Sequence, residues 1–213
     1  MDETPAGGIR LEFASGRPPV TTLAEINETL HPIGFGAWPL DVSAAPAAIR
    51  ELIAHPTLTD AELASVRDHF LLSRERMLET IEGAGRKPQV EGGGEMSTFD
   101  ATNGVTYPQL YIVEAGADYT RFDHFHVNAT ADGAGLDEVM QILCGGGIRV
   151  LQHLPGEGVF TVTLDCASDG QGWIVTYDGG RPHIGSFTGA QPGTKIVVQA
   201  IGPPRWEVKY VED

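Results

Sequence analysis

Apolar positions change period near residue 88. Upstream they recur every three or four residues, as on the buried stripe of an amphipathic helix; downstream they alternate with polar residues, as along a half-buried strand. Thr22-Leu23-Ala24-Glu25 and Thr59-Asp60-Ala61-Glu62 both carry the S/T-x-x-E capping-box pattern and place helix starts at these points. From the second start, Leu63, Val66, Phe70, Met77, Leu78 and Ile81 fall on one helical stripe that Gly83 and Gly85 end. A shorter helix is predicted over 43–55, with Pro46 tolerated in its first turn. The stripe is expected to pack on the rest of the fold or on a second copy of the chain, making a homodimer an expectation. Strands are predicted at 109–114, 119–128, 138–143, 148–154, 159–165, 173–178, 195–201 and 206–211, short runs rich in β-branched and aromatic residues between Gly, Pro and Asp turns.

These patterns divide the chain into a flexible N-terminus at 1–19, a helical extension at 20–87, a Pro- and Gly-interrupted linker at 88–104 and a β domain at 105–213. Six to eight short strands without long helices between them suit a double-sheet jelly-roll barrel, so the fold class is mainly β with an N-terminal helical extension. A chain of 213 residues can bury one substantial core, whereas two independent domains would be cramped.

Composition narrows the partners. The chain carries 29 acidic and 14 basic residues, a net charge of -15, and its field repels phosphate backbones and anionic membrane surfaces. Nucleic acid and membrane are therefore not expected partners. No apolar run is long enough to span a bilayer, and the start lacks the basic and apolar regions of a secretory signal, so a cytoplasmic protein is expected. Cys144 and Cys166 are too few for a disulfide framework. Strand parity puts Cys144 on the face of Glu138, Met140 and Ile142, as a small core residue.

The candidate chemistry lies in the β region. His124 and His126 stand two apart in a predicted strand, so alternation aims both imidazoles at one point, as a metal site requires. Glu138 can add a carboxylate, and His183 a third imidazole beyond a glycine turn. The insertion 127–137 leaves Asp137 and Asn128 open as substitutes for Glu138. Phe122, Met140 and Ile142 share the ligand face, and Tyr107, Tyr111, Tyr177, Trp173 and Arg181 lie near the mouth. Arg181 is a candidate clamp for a substrate carboxylate or enolate, and Tyr177 for proton transfer. Arg121 has the parity that faces away. His31, His55, His69 and His153 have no partner at ligand spacing and read as structural or surface residues.

Over roughly 105–210 the chain resembles the cupin superfamily, whose motifs read G-x5-H-x-H-x3,4-E-x6-G and G-x5-P-x-G-x2-H-x3-N. Glu138 and Gly145 match the end of the first motif, and Gly172, Gly180 and His183 match the second. Departures are the eleven residues between His126 and Glu138, Asp178 at the proline position, Phe187 at the asparagine position, and no glycine at the expected place before His124. The resemblance implies a barrel holding a divalent metal on His124, His126, Glu138 and His183. It favours Fe(II), with Mn, Ni, Zn, Co or Cu suiting the same donors. It further implies a small-molecule substrate and dioxygenase-type oxidoreductase chemistry on an enediol-like, diketone or phenolic compound. Metal-assisted isomerase or lyase chemistry, and a non-catalytic binding or regulatory role, stay open as alternatives.

Overall fold

The computed structural model describes residues 8–98 and 107–211. Two antiparallel sheets face one another and a layer of helices covers the outside of one. The first sheet runs β1 (Ile9–Phe13), β8 (Gly158–Asp165), β7 (Gly146–Leu154), β10 (His183–Ser186), β5 (His126–Ala129), β12 (Glu207–Tyr210). The second runs β2 (Gly36–Asp41), β9 (Gln171–Asp178), β6 (Asp137–Cys144), β11 (Lys195–Gly202), β3 (Glu95–Met96), with β4 (Gln109–Ile112) also paired to β11. This is the mainly β, double-sheet barrel that the strand pattern predicts.

Strand composition follows from what covers each face. All of β11, and β6 from Asp137 to Leu143, is buried, because the facing sheet covers one side and helices the other. On the inner side Met140, Ile142, Val175, Ile196 and Val198 join one core with Val150, Val162 and Leu164. On the outer side Val139 and Ile201 meet Met77 and Ile81, while Leu143 and Val197 meet Val66 and Phe70. The predicted apolar stripe therefore packs against the barrel.

That stripe is carried by two helices, α3 (Asp60–Phe70) and α4 (Arg74–Gly83), following α1 (Leu23–Leu30) and α2 (Ala47–Ala54). The Thr59 capping box forms in full, whereas the Thr22 side chain makes no cap bond. Between α3 and α4 the Ser73 hydroxyl caps a fresh start, and the freed Leu72 backbone docks on β11. Leu72 N donates to Gln199 Oε1 at 2.7 Å and Gln199 Nε2 to Leu72 O at 3.1 Å.

The expected division into a flexible terminus, helical extension and linker is corrected in three places. Residues 9–13 of the supposed free terminus form β1, whose Ile9, Leu11 and Phe13 enter the core opposite β8. Residues 36–41 of the helical segment form β2 and extend the second sheet beyond β9. The supposed linker carries the β3 pairing and a bond from Gln89 N to Asp137 Oδ2 at 2.8 Å. Residues 99–104 of that linker lie outside the described residues. Among the described residues no helix is long and apolar enough to cross a membrane.

Candidate metal centre

Register brings the site together. His183 on β10 is the direct cross-strand partner of His126 on β5, and their rings stand 4.4 Å apart. Glu138 on β6 is likewise the direct partner of Tyr177 on β9. One pair belongs to each sheet, and both point into the space between them, so two imidazoles from one side meet a carboxylate and a phenol from the other. His183 Nε2 lies 3.7 Å from Glu138 Oε1. These groups line a cavity of about 50 Å³ walled by Tyr111, Phe122, Met140 and Phe187.

Hydrogen bonds set the state of each group. The Nδ1 of His126 lies 2.9 Å from His124 O, and that of His183 lies 2.8 Å from Arg181 O. A carbonyl only accepts, so each Nδ1 carries the hydrogen, and in the neutral ring Nε2 is then the nitrogen left free to bind a metal. The Nε2 of His183 is buried without a hydrogen-bond partner. Burial pushes its pKa down to about 4, against the opposing pull of the Glu138 charge, and keeps it neutral. Glu138 Oε1 accepts from Asn128 Nδ2 and Oε2 from the Tyr177 hydroxyl at 2.7 Å. Burial, then the Glu138 charge, raises the Tyr107 and Tyr177 phenols well above their ordinary range, so both keep their protons.

No family model matches this sequence, and no curated protein does. Among solved structures, acireductone dioxygenase from Bacillus anthracis, with a cadmium ion in its active centre, aligns over 97% of this chain and 99% of that one. The TM-score is 0.60 and the sequence identity 14%. The chain has the cupin fold.

Within the cupin barrel the donor set suits a divalent transition ion. Two imidazole lone pairs and one carboxylate form a two-histidine, one-carboxylate set, and the unpartnered, buried His183 Nε2 needs an electron-pair acceptor. As they stand, no three His, Cys, Asp or Glu side chains among the described residues are drawn closely enough to hold an ion. His126, Glu138 and His183 together line one cavity between the sheets.

The expected fourth ligand is not in that group. The predicted strand 119–128 begins only at His126, because the Asp118 side chain accepts from Thr120 N at 2.9 Å and from Thr120 Oγ1 at 2.7 Å. That turn leads into a 3-10 turn at Thr120–Phe122 and breaks the alternation on which the paired imidazoles depended. The exposed His124 ring packs against Tyr210, and its carbonyl orients His126. Arg181 also meets the site through its backbone, at His183, and its guanidinium does not line the cavity. Tyr177 lines the cavity and donates its hydroxyl to Glu138 Oε2.

Asp137 points the other way. It pairs with Arg86 on the helical side, leaving Glu138 as the inward carboxylate. Cys144 departs from the parity expected of it. The register shift between Lys195 and Ile196 inserts a bulge, so Cys144 joins Leu143 on the helix face. Burial raises both thiols, Cys166 to about 12, which removes them as nucleophiles near neutral pH. Asn128 and Tyr107 are hydrogen-bond partners of Glu138, a role that depends on which strands become neighbours and that no local spacing signals.

Proposed function

We propose that this chain is a metal-dependent cupin enzyme acting on a small organic molecule by dioxygenase-type oxidation. His126, Glu138 and His183 are its metal ligands and iron(II) is the favoured ion; manganese, nickel, zinc, cobalt and copper suit the same donors. The observation that carries this reading is the pair of imidazoles, each fixed through Nδ1 to a carbonyl two residues back, that line one cavity with a buried carboxylate, His183 Nε2 standing 3.7 Å from Glu138 Oε1. The shared fold with a dioxygenase whose active centre holds cadmium supports it.

A bound ion would supply Lewis acidity and, as iron, a redox couple beside open positions for substrate and oxygen. The chain's own residues prepare that place. The His124 and Arg181 carbonyls fix the imidazole tautomers, as ligand-orienting groups commonly do. Asn128 and Tyr177 hold one Glu138 oxygen each. Tyr111, Phe122 and Phe187 pack on one another and give the cavity an aromatic wall.

The test is metal analysis of freshly purified protein, then oxygen uptake by the iron-loaded form with a diketone and a catechol. Uptake that zinc substitution abolishes is expected, because zinc has no accessible redox step. Turnover with zinc or manganese in the absence of oxygen would replace this reading with a metal-assisted isomerase or lyase. Ligand affinity without turnover would point to a binding protein.

A further inference from the structure

A second cavity stands apart from the metal centre. Its volume is about 510 Å³, in the range of small-molecule sites, and it shares no lining residue with the cavity of His126, Glu138 and His183. Its floor is apolar, made by the buried side chains of Val42, of Ile53 on α2 and of Leu143 on β6. Cys144 and Cys166 border it with half-buried thiols that already have main-chain acceptors. Cys144 Sγ lies 3.5 Å from Gly193 O and Cys166 Sγ 3.6 Å from Ile142 O, so the sulfurs extend the apolar surface.

The rim carries charge of both signs. Arg50 on α2 and Asp169 in the turn between β8 and β9 are the two charged side chains among the lining residues, and both are exposed. They do not pair with each other. Arg50 has no hydrogen bond or ion pair among the described residues, and Asp169 Oδ1 accepts from Gln171 N at 3.2 Å. Both walls are nonetheless held in place. Val42 N donates to Gly170 O at 2.9 Å and Ala167 N to Gln171 O at 2.9 Å, which fixes the turn of Asp169; Lys195 Nζ donates to His55 O at 2.6 Å, which fixes the end of α2.

Complementarity selects the ligand. A guanidinium grips a carboxylate with a two-pronged fork, a carboxylate binds an ammonium, and the floor takes an apolar group. An anion alone would satisfy Arg50 but face the Asp169 carboxylate; a cation alone would satisfy Asp169 but face Arg50. We propose that this cavity is a second binding site, for a small zwitterion with an apolar side chain. An apolar α-amino acid and a short peptide of apolar residues share this chemistry. Binding makes and breaks no covalent bond.

The experiment follows backbone amide chemical shifts of isotope-labelled protein during titration with leucine, with leucyl-alanine and with two truncated forms of leucine. These are 4-methylpentanoate, which lacks the ammonium, and 3-methylbutylamine, which lacks the carboxylate. The expected result is a saturable shift at Gly145, at 166–170 and along α2 with leucine or leucyl-alanine, and affinity at least about tenfold weaker for each truncated form. The tighter of leucine and leucyl-alanine distinguishes the two sources. Arg50→Gln and Asp169→Asn change exposed positions, and the latter keeps an oxygen for Gln171 N, so both variants should fold and each should weaken the zwitterion about tenfold. Equal binding of either truncated form, unchanged affinity in both variants, shifts confined to other residues, or no saturable shift with leucine or leucyl-alanine overturns the proposal. Because the two cavities share no residue, each of these outcomes is independent of what His126, Glu138 and His183 hold.

Discussion

Two adjacent carboxylates on one strand are predicted to fail in opposite ways when neutralised. Asp137 is fully buried and Arg86 is 10% exposed. Besides its ion pair with Asp137, Arg86 donates to Gly34 O at 2.9 Å, Tyr177 O at 2.9 Å and Thr176 Oγ1 at 3.2 Å, so it ties the helical segment to β9. In Asp137→Asn the buried guanidinium keeps only neutral hydrogen-bond acceptors and the more distant charge of Asp178, and the new amide must set its NH2 against either Arg86 or the Gln89 N–H. Removing one partner of a buried pair costs about 3–5 kcal/mol. At about 2–4 °C per kcal/mol for a chain of this size, the Tm should fall by roughly 6–20 °C. Glu138→Gln removes a charge that faces the cavity. Its carbonyl can still accept from Tyr177, and Asn128 can rotate its unpartnered Oδ1 to meet the new amide, so stability should change by less than about 1 kcal/mol. Thermal unfolding by circular dichroism, with metal content measured on folded protein, separates the two variants. Asp137→Asn should be unstable yet bind metal when folded, and Glu138→Gln should be stable and lose metal. The reverse ranking would refute the strand parity on which the site rests.

Tyr177→Phe, which removes the donor to Glu138 Oε2, should weaken metal affinity by a factor of roughly ten to a hundred, read by competition with a chromophoric chelator; unchanged affinity would remove Tyr177 as a positioning residue. The metal-free protein should lose stability as pH falls from 6.5 to about 4. Unfolded His183 gains a proton near 6.5, whereas folded His183, held down by burial, does not until about 4, so acid favours the unfolded chain. The full effect is about 3 kcal/mol, by urea unfolding across that range, and His183→Gln should flatten it; an unaltered slope would contradict the neutral, buried imidazole.

Much of this arrangement was legible in the residues. Glu138, Met140 and Ile142 face inward, as period two requires, and the Thr59 box starts its helix where the pattern places it. The misses have physical causes. Ile9, Leu11 and Phe13 do alternate, but five residues are a weak signal, and β1 is held by its pairing to β8 rather than by local preference. His124 could share a face with His126 only in an unbroken strand, and two hydrogen bonds to Asp118 upstream break it. The Cys144 parity failed at a bulge that only the β11 partner reveals. The carboxylate clamp by Asn128, Tyr107 and Tyr177 draws on residues up to 70 positions apart, which no local period connects.

Metal stoichiometry across four variants is the most direct test of the site itself. His126→Ala, His183→Ala and Glu138→Gln should each lose most of the bound ion, while His124→Ala, which keeps the carbonyl that orients His126, should retain it near the wild-type level. Full metal content in both His126→Ala and His183→Ala, or its loss in His124→Ala with retention in the other three, would contradict the account.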